Sequence, residues 1–144
     1  MKRVLVALAG LAQMGAGVPQ QGADLKVELS GLRSAKGVVH LCLTSSQQRF
    51  LSCKEDRSAM ARTVPAGHAQ KLDLGTVRPG TYALLIVHDE NGNGKLDMMM
   101  GIPREGFGFS NNPAMRPRAP RWDEIRFTMP PAAMRQQVRI RYVL

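Results

Sequence analysis

Thr81-Tyr82-Ala83-Leu84-Leu85-Ile86-Val87-His88, running directly into Asp89-Glu90-Asn91-Gly92-Asn93-Gly94-Lys95-Leu96-Asp97, decides how the rest of the chain reads. Tyr82, Leu84 and Ile86 fall on one face of an extended segment, and Ala83, Leu85 and Val87 on the other. A strand apolar on both faces is a central one, covered on both sides. Pro79-Gly80 supplies the turn that enters it. The acidic run that leaves it is rich in Asn-Gly, which ends a strand sharply.

Working outward, Leu25, Val27 and Leu29 alternate with Lys26, Glu28 and Ser30, the period of a half-buried strand. Gly37 opens a run in which Val39, Leu41 and Leu43 share a face. Residues 54–67 are polar, hold Pro65 and Gly67, and are expected to form a loop or short helix. A weaker strand is expected over 68–74. Others are expected near Ile125, Phe127 and Met129, and over Val138, Ile140 and Tyr142. Residues 98–121 show little periodicity and read as one long glycine-rich loop, a feature that in a compact domain is usually functional or specifically packed. Short strands without intervening helix patterns predict an all-β fold, an antiparallel β-sandwich of about seven strands.

The 144 residues suit one domain, and 44% hydrophobic with 22% charged residues excludes global disorder. Met1-Lys2-Arg3, the apolar stretch Val4 to Ala12 and the small residues Gly15-Ala16-Gly17 have the layout of a cleaved signal peptide. The expected division is therefore a removed segment, 1–17, and a single domain, 18–144, in the periplasm or outside the cell. No cysteine near the leader offers a lipoprotein anchor, and no transmembrane segment is expected. Cys42 and Cys53 fit an oxidising compartment, where an exported protein with two cysteines pairs them; buried free thiols are the alternative. Removing Lys2 and Arg3 lowers the formal charge from +9 to +7, with the excess in Arg116, Arg118, Arg121, Arg126, Arg135, Arg139 and Arg141. A basic face attracts acidic polymers, but nucleic acid is not expected as a partner outside the cytoplasm.

The acidic run has the alternation of a calcium loop. Counting from Asp89, side-chain oxygens fall at Asn91 and Asn93, Gly94 allows the sharp turn, Lys95 offers its backbone carbonyl, and Asp97 binds directly or through water. Calcium wants about six to eight oxygens. Met100 stands where a bidentate glutamate is expected, so affinity is expected to be weak, on the order of 10⁻⁴–10⁻³ M. Glu105 or Glu90 are candidates for the gap. The competing reading is a metal-free pair of tight turns. Beyond calcium, no cofactor is expected. Met98-Met99-Met100 reads as packing. Phe107 and Phe109, flanked by glycines, either fold inward or form a stacking platform for a sugar or another planar ligand. With His88, Glu105 and Asn111 they make up a candidate binding loop.

The double motif 88–97 and 101–112, with Gly37, Pro79-Gly80-Thr81-Tyr82-Ala83 and Trp122-Asp123-Glu124 to Phe127, resembles the bacterial domain of unknown function 2141 over nearly the whole predicted mature chain. The resemblance implies an exported envelope or secreted domain with a transthyretin-like or immunoglobulin-like sandwich, and no established activity. Residues 120–125 depart from the pattern, which expects a smaller aromatic and an alanine there.

Three functions follow in order of expectation. The first is a non-catalytic binding or structural module of the envelope with a weak calcium loop, its partner an envelope protein or glycan. The second is a hydrolase using His88, Asp89 and Glu90, without a serine or cysteine nucleophile motif to support it. The third is a basic protein that binds acidic polymers.

Overall fold

The computed structural model describes Gly17 and residues 21–144, so nearly all of the predicted leader lies outside the described residues. Ten strands and one short helix follow in order: β1 (Ala23–Ser30), β2 (Val38–Thr44), β3 (Met60–Pro65), β4 (Lys71–Val77), β5 (Gly80–Asp89), β6 (Met98–Met99), β7 (Ile102–Pro103), β8 (Gly106–Phe109), α1 (Trp122–Ile125), β9 (Arg126–Met129) and β10 (Met134–Arg139). One sheet has the order β10-β1-β4. The other runs β3-β2-β5-β8, with β9 also on β5, and β6-β7 form a separate hairpin.

Leu25, Val27 and Leu29 of the first sheet meet Val39, Leu41, Leu84 and Ile86 of the second in one core, with Val138 and Ile140 closing it. The expected sandwich is therefore present, with eight strands in its two sheets. One pairing departs from the antiparallel expectation: β1 and β10 run parallel, Leu25 beside Met134 and Leu29 beside Val138. These strands come from opposite ends of the chain, so no hairpin turn forces them to oppose. After β10 the chain changes sheets. Ile140 N–H donates to Ser30 O at 2.8 Å, and the next residue, Arg141, exchanges backbone hydrogen bonds with Phe107 at 2.9 and 3.0 Å.

Three expectations need correction. Residues 54–67 hold a strand, β3, whose mostly exposed side chains carry no burial signal because it is an edge strand held by backbone pairing to β2. The strand expected at 68–74 lies later, at β4, because Ala66–His68 form a short 3-10 turn first. Within 98–121 the chain makes β6, β7 and β8. Strand β8 reads Gly-Phe-Gly-Phe, and glycine suppresses any sequence-level strand signal. Its glycines are needed for closure: a Cβ on Gly108 would lie 2.7 Å from Val138 Cγ1 and 2.9 Å from the Arg139 carbonyl.

Strand β5 is covered on its core face, and on its outer face at Ala83, with Leu85 and Val87 half-buried. Leu84 and Ile86 face the core, while Ala83 lies under a second cluster with Trp122 and Ile125, packed by Phe50, Leu85 and Phe109. The Phe50 and Trp122 rings meet edge-on at 5.6 Å. Cys42 of β2 is disulfide-bonded to Cys53 across a Cα separation of 6.1 Å, which staples the intervening segment. Asp56 anchors the next turn, accepting from Thr44 Oγ1 at 2.5 Å and from Ser58 N–H at 3.0 Å.

Candidate functional site

Asp89, the last residue of β5, is fully buried on the face opposite His88. Its Oδ1 accepts from Asn93 N–H at 3.2 Å, and its Oδ2 from Gly94 N–H at 2.7 Å and from the His40 Nε2 at 3.0 Å. Burial pushes its pKa up. The hydrogen bonds from His40, Gly94, Gly92 and Asn93 outweigh that and hold it below the ordinary value. Gly92 and Gly94 adopt φ of 68° and 73°, the left-handed region that lets the chain wrap round one carboxylate. Asn91 Oδ1 and Asn93 Oδ1 accept backbone hydrogens from Asn93 (3.1 Å) and Lys95 (2.9 Å), while both side-chain amides donate to Asp97. The predicted set Asp89, Asn91, Asn93, Lys95 and Asp97 is thus one compact loop, with the side-chain oxygens of Asp89, Asn91, Asn93 and Asp97 engaged within it.

Glu105 enters this loop from the hairpin that follows. Arg104 N–H donates to Asp97 O at 2.9 Å, closing the base of β6-β7, and Asp97 N–H donates to Glu105 Oε2 at 3.2 Å. Glu105 is 4% exposed, and its Oε1 is buried without a hydrogen-bond partner. Burial raises its pKa, and the neighbouring carboxylates Asp89 and Asp97 raise it further, more than the Asp97 N–H lowers it. A cavity of about 220 Å³ adjoins, lined by Arg33, Glu90, Asn91, Asp97, Arg104 and Glu105. Among the described residues no group of three or more His, Cys, Asp and Glu side chains is already gathered at metal-holding distance.

Glu90 lines the same cavity but is held by other partners. Arg33 grips it at 2.5 Å and Ser34 Oγ donates to it at 2.8 Å, which brings its pKa down to about 2. The Arg33 guanidinium also stacks on Tyr142, 4.3 Å from the ring centre, and donates to Leu144 O at 2.7 Å. His88 is fully buried on the core face. Its Nε2 lies 2.8 Å from the Lys36 carbonyl, which only accepts, so that nitrogen carries the hydrogen; in a neutral ring Nδ1 then accepts from the Tyr142 hydroxyl at 2.7 Å. His88, Asp89 and Glu90 therefore face three different surroundings and do not converge.

Sequence reasoning missed His40. It stands opposite Val87 in the β2-β5 register, Val87 lying two residues from Asp89 on the same strand, and its Nδ1 meets Thr63 Oγ1 at 2.8 Å. Only strand register reveals that contact. The resulting hydroxyl–imidazole–carboxylate chain has the order of a proton relay, but neither Thr63 nor His40 lines the cavity beside Glu105.

Phe107 and Phe109 pair with Val87 and Leu85, while Gly106 and Gly108 take the core side. The rings thus leave the core and lie half-buried on the outer face, centroids 5.8 Å apart and tilted by 51°. They floor a groove of about 770 Å³. One wall is the β6-β7 hairpin, whose tip residues Met100 and Gly101 have φ of 51° and 79°, a two-residue hairpin turn. Met98, Met99 and Met100 are exposed, Met100 at 96%, which corrects the expectation that they pack. The other wall is residues 113–119. Asn111 and Asn112, at φ of 63° and 45°, hold that wall's start by donating to Arg126 O at 2.7 Å and Gln137 O at 2.9 Å.

Fold and loop together define a disulfide-bonded β-sandwich domain whose central strand ends in a wrapped acidic turn. The chain belongs to the family described as "Uncharacterized protein conserved in bacteria (DUF2141)", which matches residues 27–137. Neither the curated proteins nor the solved structures gave a match. Among the described residues no helix is long and apolar enough to cross a membrane.

Proposed function

We propose that this chain is a non-catalytic binding module of the bacterial envelope or exterior, steadied by calcium at the loop from Asp89 to Asp97, with Glu105 supplying the carboxylate that Met100 does not. The observation that carries this is the buried, unpartnered Glu105 Oε1 beside Asp89 and Asp97. A buried carboxylate next to two others needs a proton or a cation to offset it. The Asn91 and Asn93 amides that now serve Asp97 would turn their oxygens inward, and the Lys95 carbonyl would complete an oxygen set that suits a hard cation. The disulfide and the leader-like N-terminus support export.

Millimolar calcium is expected to raise Tm, with Asp89→Ala and Glu105→Gln each removing the shift. An unchanged Tm at about 10 mM calcium, well above the weak affinity expected of such sites, sinks the metal reading.

A further inference from the structure

Beyond the loop, and resting only on the reading of the 101–112 segment as a binding face, we infer that the groove over β5 and β8 binds a monomeric anionic amphiphile, a single linear apolar chain bearing a carboxylate-type head. Six of the nine large apolar side chains that stand exposed among the described residues line this one groove: Leu51, Leu96, Met98, Ile102, Met115 and Val143. Apolar surface so concentrated marks a binding site. The floor of Leu85, Val87, Phe107 and Phe109 is apolar, and the volume of about 770 Å³ lies in the range of small-molecule sites. Methionine walls adapt to a flexible chain.

Charge selects the head. Arg116, Arg118, Arg139 and Arg141 line the same groove, with Glu124 as its single acid. Glu124 is already taken by Arg118 at 2.7 Å and approached by Arg116 at 4.0 Å. Among the described residues neither Arg139 nor Arg141 pairs with a carboxylate; the Arg141 guanidinium donates only to Pro113 O, at 3.3 Å. An apolar trough edged by two cations without counter-ions complements a chain with an anionic end.

The test is a titration of the exported form with hexadecanoate below its aggregation concentration, in calcium and again in chelator. Trp122, the only tryptophan, packs with Phe109 and Leu85 behind the floor and reports occupancy. Saturable one-to-one binding is expected, about tenfold or more weaker for octanoate and hexadecanol. Phe107→Ala and the exposed-wall variant Ile102→Glu are each expected to weaken hexadecanoate about tenfold with circular dichroism unchanged. The double change Arg139→Gln, Arg141→Gln should weaken the acid and spare the alcohol. Absence of saturable binding, or full binding by Ile102→Glu, overturns the site. Equal affinity for acid and alcohol overturns the head-group assignment. Binding to phosphatidylglycerol vesicles without binding of the monomer overturns the proposal in favour of a membrane surface. The chelator arm keeps the groove result separate from the calcium result.

Discussion

Glu105 is the residue on which the loop's behaviour turns. Its folded pKa is raised above the ordinary 4.5, so the folded state holds a proton that the unfolded chain has already released. In the absence of metal, its effect on stability is therefore neutral well below pH 4.5 and becomes a loss as pH rises through the raised folded value. Glu105→Gln should accordingly melt higher than the wild type at pH 7–8 in chelator, while losing the calcium shift. A lower chelator melting point would show that the charge is not under strain. Gly108 is the opposite kind of residue, useful for what it lacks. Gly108→Ala forces a methyl against Val138 and the Arg139 carbonyl and should destabilise by about 1–3 kcal/mol in urea unfolding. At this scale Asp89, Asn91, Asn93 and Asp97 were legible from spacing, because a turn motif is local. Glu105 was legible only as one of two candidates, with Glu90, and the fold brings it to the Asp97 N–H; His40 was not legible at all, since its link to Asp89 runs through a neighbouring strand.

Among the elements, β5 declared itself because both faces are apolar, whereas β8 and β3 were hidden for different reasons. Strand β8 gives half its positions to glycine, and β3 shows most of its side chains to water. The disulfide tethers β2 to the turn at Cys53–Glu55, and removing it with Cys42→Ser, Cys53→Ser should lower unfolding free energy by about 2–3 kcal/mol. The β1-β2 connection is latched by Arg33 onto Glu90 and the C-terminal carbonyl. Because the Glu90 pKa is lowered from 4.5 to about 2, this contribution is complete above pH 4.5 and is lost as pH falls through about 2. Arg33 is 42% exposed, so solvent screening keeps the contribution of this pair small. Glu90→Gln is expected to unfold more easily than wild type at pH 7 and to converge on it as pH falls below about 2; a difference that persists there would assign the effect to packing.

For the whole molecule, strand periodicity was enough to predict a two-layer β architecture, but not how the layers close. Alternation reports which side chains are buried; it carries no information on whether distant strands run parallel. The C-terminal arginines look like a single basic face in sequence. In the fold Arg118, Arg126 and Arg135 bind Glu124, Asp123 and Glu28, and Arg116 approaches Glu124; of the three left without a carboxylate among the described residues, Arg121, Arg139 and Arg141, the last two lie beside the groove. The parallel union of β1 with β10 also sets a schedule. The strand that emerges early from the ribosome needs, as its second neighbour, one of the last to appear, some 100 residues later. At about 5–20 residues per second that is a delay on the order of 5–20 s during which the first sheet is incomplete. A chain held open in this way stays threadable, which is the condition a protein needs if it is to pass through a narrow translocation channel before it folds.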